Sequence, residues 1–184
     1  MISSRAYRGR RVPFPEFQRQ RIYMLPFCKD EPLPQRYARW QPTVDAMLDG
    51  VDAPGQIYLM VDQALVRPGH CHRRAGPHVD GRWVPTLAGH EHQPAPQRDR
   101  VQALLLAFDQ PGACGWFGDI EGEAGPGGDC SLLDLRRAVQ IELQPDVVWA
   151  ADACAFVHAS VPARQECFRT VVRLNVCGWL PRGM

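Results

Sequence analysis

The chain has 184 residues, of which 45% are hydrophobic and 22% are charged, and its formal net charge at pH 7 is +1. This length fits a single domain, 1–184, with a substantial core, and the charge gives no reason to expect nucleic acid or an anionic membrane surface as a partner. The seven cysteines show no C-x-x-C spacing, which disfavours a zinc ribbon and a thioredoxin-type redox motif. We therefore expect a globular protein with free thiols.

The N-terminus and the hydropathy pattern bear on the compartment. The first residues, Met-Ile-Ser-Ser-Arg, lack the apolar stretch of a secretory signal. No apolar run is long enough to span a bilayer, so no membrane partner is expected. Together with the absence of a disulfide framework, these observations predict a cytoplasmic protein.

Residues 1–55 are expected to form an N-terminal arm followed by a short flanking helix. The stretch from residue 1 to about 33 is rich in arginine and proline, which favours an arm that wraps around the domain and adds an edge strand. Apolar residues then recur every three or four positions over 37–48, and a glycine follows, which predicts a short amphipathic helix. Pro42 predicts a kink or an early turn in this helix.

Residues 56–176 are expected to form a core of many short strands. The predicted strands are 57–64 with a continuation over 66–72, then 101–108, 138–143, 147–149, a short segment over 155–158, and 169–176. Two segments rich in proline or glycine, 85–98 and 111–128, are expected to be long loops. Short strands separated by turn residues favour a mainly β fold, a β-sandwich or jelly roll, over a parallel α/β sheet.

The segment from Arg67 to Trp83 contains the residues on which the functional prediction depends. His78 and Asp80 are two positions apart, and on an extended strand such side chains project from the same face. Two imidazoles and one carboxylate form the facial triad that holds non-heme Fe(II). His158, in the last third of the chain, is the candidate for the third ligand. The pattern therefore predicts an iron site and an oxygenase.

The last predicted strand places basic side chains beside this site. Arg169, Val171 and Arg173 share the strand face that turns toward the interior, and the alternate residues pack on the core or a flanking helix. A buried guanidinium is costly without a carboxylate partner, and a dicarboxylate cosubstrate would satisfy it with two parallel hydrogen bonds. A structural acid such as Glu166 or Asp152 is the alternative partner.

The pattern His78-x-Asp80, then His158, then Arg169 eleven residues further on, resembles the Fe(II)/2-oxoglutarate-dependent oxygenases. The resemblance spans roughly residues 56–176 and implies a double-stranded β-helix, or jelly-roll, core. It implies that the two histidines and Asp80 are the catalytic residues that bind Fe(II), and that a basic residue binds the C5 carboxylate of 2-oxoglutarate. The implied activity is that of a dioxygenase of the hydroxylase type, which uses dioxygen and releases succinate and CO2.

The resemblance leaves the cosubstrate residue and the substrate open. Arg169 is favoured by its spacing from the distal histidine, but Arg173 lies on the same strand face and stays a candidate. Many family members carry a serine two residues after the arginine, whereas this chain has Val171, and Thr170 faces the other way. The expected substrate is a small molecule or a protein side chain, because phosphate binding normally leaves a basic footprint that this chain lacks.

Two other functions remain open alternatives. His70-Cys71-His72 resembles part of a cupin metal motif, although the expected glutamate is missing, so His70 and His72 are the ligands of an alternative cupin-type metalloenzyme. A jelly roll also serves as a scaffold, and a non-catalytic interaction module is therefore the second alternative.

Further charged and polar residues flank the predicted iron site in sequence. Arg73, Arg74 and Arg82 are placed to shape the substrate entrance, which would suit an anionic group. His90 and His92 lie in the first predicted loop, where solvation and contact with substrate both remain open.

Overall fold

The structure is a computed structural model, and it describes residues 1–81, 84–86, 89–91 and 101–181. Over these residues the chain is mainly β, with antiparallel sheets, a single α-helix and no closed barrel. The predicted fold class is therefore confirmed, because this arrangement is consistent with a β-sandwich or jelly roll. No helix within the described ranges combines the length and the apolar character that crossing a membrane requires.

Twelve strands lie within the described residues. In chain order they are β1 (Ile2–Ser4), β2 (Ala6–Arg11), β3 (Arg21–Phe27), β4 (Ile57–Val66), β5 (Val84–Thr86), β6 (Gly89–Glu91), β7 (Val101–Phe108), β8 (Ala113–Ile120), β9 (Val139–Glu142), β10 (Val147–Asp152), β11 (His158–Ser160) and β12 (Cys167–Cys177). The large sheet has the order β2-β10-β7-β12-β4-β3, and the smaller sheet contains β1, β8 and β11 with β9 paired to β8. The strands β5 and β6 form a separate hairpin.

The N-terminal arm belongs to both sheets. Its strands β2 and β3 form the two edges of the large sheet, and β1 pairs with β8 in the smaller one. The predicted helix over 37–48 is divided in two, with a 3-10 helix at Gln35–Trp40 followed by helix α1 at Gln41–Leu48. Pro42 lies in the first turn of α1, where the missing N–H of proline has no hydrogen bond to lose, so the boundary falls just before it.

Strand β12 lies inside the large sheet, and its two faces contact different parts of the protein interior. It is paired with β4 over 167–176 on one side and with β7 over 171–177 on the other. Val172, Leu174 and Val176 are fully buried in an apolar cluster that also contains Trp40 and Met47 from the helical segment. The alternate residues of β12 face a cavity between the two sheets, as the alternation of the sequence predicts.

Three loop and strand predictions need correction. The segment 111–128, predicted as a loop because of its glycines, contains the eight-residue strand β8. Gly115 is required there for space, since a Cβ at this position would lie 2.5 Å from the Phe156 ring. The segment 85–98 overlaps the β5–β6 hairpin, and the rest of it lies outside the described residues. The expected continuation of the first core strand over 66–72 is absent, because Pro68-Gly69 forms a turn after β4.

Candidate metal site

The segment that carries His78 and Asp80 is held by backbone hydrogen bonds on each side. His78 and His158 exchange both of their backbone N–H···O bonds, each at 3.0 Å. The amide of Asp80 donates to the carbonyl of Ala153 at 2.9 Å. Val79, between the two site residues, is buried in an apolar cluster, so His78 and Asp80 turn together toward the cavity.

The three predicted ligands lie close together in the lining of this cavity. His158 Nε2 is 3.4 Å from Asp80 Oδ2, and His78 Nε2 is 3.9 Å from Asp80 Oδ1. One ligand atom from each residue lies within 4.8 Å of the others. Two ligand atoms on one ion, each about 2.1 Å from it, lie no more than about 4.2 Å apart, so a small inward movement suffices. The buried His-Asp-His group therefore has the donor set of a metal site.

The hydrogen bonds of the two rings direct the same nitrogen toward the metal position. His78 Nδ1 lies 2.9 Å from the carbonyl of Gly76, and His158 Nδ1 lies 3.1 Å from the carbonyl of Phe156. A carbonyl oxygen only accepts, so each Nδ1 carries the proton and each Nε2 has a free lone pair. A carbonyl partner of this kind is typical for histidines that bind metal.

The protonation states also suit a metal site. Burial lowers the pKa of His78 to about 4, and the neighbouring His158 adds to the shift, so the His78 ring is neutral at pH 7. Burial disfavours ionisation of Asp80, but the Arg173 guanidinium and the two imidazoles outweigh it and hold the pKa of Asp80 well below its usual range. Arg173 Nη1 donates to Asp80 Oδ2 at 2.5 Å. A neutral imidazole and an ionised carboxylate are the forms that bind metal.

Arg169 is buried in the same cavity, with 1% of its surface exposed. Its Nε and Nη1 have no hydrogen-bond partner within the described part of the chain. Neither Glu166 nor Asp152, the acids that the sequence offered as structural partners, forms an ion pair with it among the described residues. The Asp109 carboxylate accepts a hydrogen bond from the Thr170 amide at 2.7 Å. Burial lowers the pKa of Arg169, but a guanidinium stays charged in a protein. The Asp109 carboxylate is near enough to act on Arg169 through its charge, but no carboxylate among the described residues forms an ion pair with this guanidinium.

Gly112 lies against the guanidinium of Arg169. A Cβ built on this glycine would be 2.1 Å from Arg169 Nη1, and its φ of +141° is one that other residues rarely adopt. Nothing in the sequence singles out this residue beyond its place in a glycine-rich stretch. Because position 112 has no side chain, the guanidinium of Arg169 has room beside the backbone at the cavity wall.

The histidines of the cupin alternative lie elsewhere. His70 is exposed and its Nδ1 contacts the Pro68 carbonyl at 3.1 Å, whereas the His72 side chain is buried beside Asp62, with Nε2 3.6 Å from Oδ1. Among the described residues, the group of three or more ligating side chains is His78, Asp80 and His158, and neither His70 nor His72 joins it. His92, Arg82 and the side chain of His90 lie outside the described residues.

Comparisons with known proteins give little further information. No family model matches this chain, and no curated protein matches it either. Among solved structures, the chain is similar to a bsmA homolog from Methylobium petroleophilum PM1, at 18% sequence identity and a TM-score of 0.34. The match covers 83% of this chain but only 54% of that protein, so this chain spans about half the length of its structural neighbour.

Proposed function

We propose that this protein is a non-heme Fe(II)/2-oxoglutarate-dependent oxygenase. The observation that carries the proposal is that Arg169, a buried guanidinium without an ion pair among the described residues, lines the same cavity as the His78, Asp80 and His158 group. A metal site alone fits many reactions, and a buried cation alone is a cost in stability. Together they fit a ligand that carries a carboxylate at one end and metal-binding oxygens at the other.

Each side chain then has a separate task. His78, Asp80 and His158 would hold Fe(II) through two imidazoles and one carboxylate, which leaves room for other ligands on the opposite face. Arg169 would bind the far carboxylate of 2-oxoglutarate through two parallel hydrogen bonds. When bound, the metal and its cosubstrate would supply the oxidation of a substrate C–H bond, with release of succinate and CO2.

Arg173 has a different role in this proposal. Its guanidinium already pairs with Asp80 and contacts the Met60 sulfur at 3.4 Å. Arg173 would therefore orient the metal-binding carboxylate by holding one of its two oxygens. The division of labour between the two arginines favours Arg169, the unpaired one, as the cosubstrate residue.

An anaerobic titration tests the proposal directly. Purified apoprotein is titrated with Fe(II) and then with 2-oxoglutarate, and the visible charge-transfer band of the chelated iron is recorded. We expect a saturable band that is absent in Asp80→Ala. In Arg169→Met the affinity for 2-oxoglutarate should fall by roughly tenfold or more while Fe(II) still binds, because the lost hydrogen bonds are charged.

Two controls make this titration decisive. Arg173→Met should disturb Fe(II) binding through Asp80, and a selective loss of 2-oxoglutarate affinity in this variant instead would reverse the assignment of the two arginines. Tight iron binding without any band would contradict the choice of cosubstrate. A protein that binds no iron would contradict the proposal altogether and favour a non-catalytic module.

A further inference from the structure

The lining of the cavity carries more positive charge than the cosubstrate can neutralise. Four guanidiniums line the cavity, those of Arg73, Arg74, Arg169 and Arg173, against the single carboxylate of Asp80 among the described lining residues. A divalent metal ion adds two positive charges, and 2-oxoglutarate brings only two negative ones. Because like charges repel strongly in a partly desolvated site, this surplus favours the binding of another anion.

Nearby acids reduce the surplus without removing it. Arg73 donates to Asp62 Oδ2 at 2.8 Å, but Arg21 also donates to this carboxylate, at 3.1 Å. One carboxylate is thus shared by two guanidiniums. Arg74 lies 3.8 Å from Asp129, an exposed contact that water and salt screen. With Asp62, Asp109 and Asp129 included, four carboxylates meet five guanidiniums, because Arg21 shares Asp62 with Arg73.

Arg73 and Arg74, whose partly exposed side chains define the mouth of the cavity, are held in position relative to the metal site. The Arg73 amide donates to Ser160 Oγ at 3.3 Å, and the Ser160 amide donates to the Arg74 carbonyl at 3.2 Å. Ser160 is two residues beyond His158 on β11. The two arginines therefore sit on a backbone segment that is hydrogen-bonded to the strand of the distal ligand, and their distance from the metal position is set by the sheet.

The side chains of Arg73 and Arg74 are directed as well as charged. Arg73 Nη2 contacts the Met60 sulfur at 3.6 Å, the same sulfur that Arg173 contacts from the metal side. Arg74 Nη1 donates to the Gly127 carbonyl at 2.8 Å, and its Nη2 makes only the long contact of 3.8 Å with Asp129 Oδ1. Both side chains are partly exposed at the cavity, so an incoming molecule reaches them first.

We infer that Arg73 and Arg74 form a second anion-binding subsite, and that the primary substrate is a small molecule carrying a carboxylate or a phosphate. This inference rests on the proposed function, since it assigns Arg169 to 2-oxoglutarate and the mouth to the substrate. The cavity volume of about 200 Å³ is small beside the roughly 300–1,000 Å³ of most ligand pockets. The substrate therefore anchors its anionic group at the mouth and presents a neighbouring carbon to the metal.

Anion titration followed by NMR tests this subsite. The protein is labelled with ¹⁵N, loaded with redox-inert Zn(II) and saturated with 2-oxoglutarate, so that Arg169 is occupied. Acetate and inorganic phosphate are then added in separate titrations while the arginine Nε–H signals are followed. We expect saturable shifts of the Arg73 and Arg74 signals, and the anion that binds more tightly identifies the substrate group.

Matched variants decide the outcome. In Arg74→Gln the affinity for the anion should fall by roughly tenfold, because a charged hydrogen bond is lost. Arg136→Gln removes the same charge from a residue that does not line the cavity, and its affinity should equal that of the wild type. Equal affinities in all three proteins, or an absence of saturable shifts at the mouth, would overturn the inference.

A second titration separates this inference from the proposed function. Metal-free Arg169→Met protein has neither the metal nor the inner cation, so an anion that still shifts Arg73 and Arg74 binds at the mouth alone. Saturable shifts there, in a protein that fails to bind 2-oxoglutarate, would leave the subsite standing and overturn the cosubstrate assignment. Shifts confined to Arg169 in the wild type would overturn the subsite at the mouth and leave the cosubstrate assignment standing.

Discussion

The side of the large sheet that faces helix α1 and the side that faces the cavity are built from the same strands but bury different groups. Toward the helix, Val172, Leu174 and Val176 of β12 are fully buried among other apolar side chains. Burial of each such side chain stabilises the fold by about 1.5–3 kcal/mol. Toward the cavity, the same strand buries Arg169 and partly buries Arg173, which is favourable only when a counter-charge is present.

The two faces of β12 therefore serve different purposes, stability on the helix side and binding on the cavity side. Burial of apolar side chains on the helix side stabilises the fold. Burial of charged side chains on the cavity side is unfavourable, but it holds those charges in a fixed arrangement. Changes on the helix side should therefore alter stability without altering binding, and changes on the cavity side should do the opposite. Two variants, His158→Ala and Leu174→Ala, test this separation, and a third, Asp62→Asn, tests the pH dependence of one charged pair.

His158→Ala should have the largest effect on the cavity side. Loss of an outer partner of a metal ligand typically lowers affinity by roughly 10–100-fold, and loss of the ligand itself should exceed this range. Calorimetric titration with Fe(II) or Zn(II) measures the loss, and circular dichroism checks that the fold persists. The exposed His70 is the matched control, since His70→Ala should bind metal as the wild type does. Retained affinity in His158→Ala, with loss in His72→Ala, would favour the cupin-type site.

Leu174→Ala should have the largest effect on the helix side. Leu174 is fully buried, and removing its side chain leaves a cavity in the apolar cluster, which should lower the free energy of unfolding by about 2–5 kcal/mol. Urea denaturation measures this loss. Leu132→Ala is the control, because Leu132 is 98% exposed and its loss should change stability by less than about 0.5 kcal/mol. A weakened metal affinity in folded Leu174→Ala would show that the two sides are coupled.

Asp62→Asn should have a smaller and pH-dependent effect. Burial raises the pKa of Asp62, but the contacts with His72 and Arg73 outweigh it and lower the pKa to about 2 from 3.8. The ionised carboxylate therefore stabilises the fold by about 2 kcal/mol above pH 4, and this contribution is lost as the pH falls toward 2.

The difference in unfolding free energy between wild type and Asp62→Asn, measured by denaturation at pH 6 and pH 3, should shrink at the lower pH. The loss in Leu174→Ala should stay constant over the same range, because no titrating group is involved. A constant difference for Asp62→Asn would contradict the pairing of this carboxylate with Arg73.

The sequence was sufficient where a local pattern determines the structure. The alternation over 169–176 predicted which side of the last strand faces the apolar core, and the three-to-four spacing over 37–48 predicted a helix. His78-x-Asp80 with the later His158 predicted the one group of ligating residues among the described ranges. Each of these predictions depends on the period of side-chain direction, which is a property of the chain itself.

The remaining features depend on contacts between distant residues. The glycines of β8 resembled a loop, because nothing local indicates that Gly115 makes space for the Phe156 ring. The alternation of β12 gives Arg169 and Arg173 the same direction, so only the distance to Asp80 distinguishes the paired guanidinium from the unpaired one. Likewise, the sharing of Asp62 between Arg21 and Arg73 joins residues far apart in sequence.

The pairing of β12 on both sides has a consequence for selectivity by length. Arg169 and Arg173 are four residues apart on an extended strand, which separates their Cα atoms by about 13 Å. Pairing with β4 holds both positions, and pairing with β7 also holds Arg173, so this spacing cannot stretch or shrink to suit a ligand. Under the proposed function, the strand therefore fixes the distance between the metal and the guanidinium of Arg169. A 2-oxo dicarboxylate one carbon shorter than 2-oxoglutarate could not reach the metal and Arg169 at the same time.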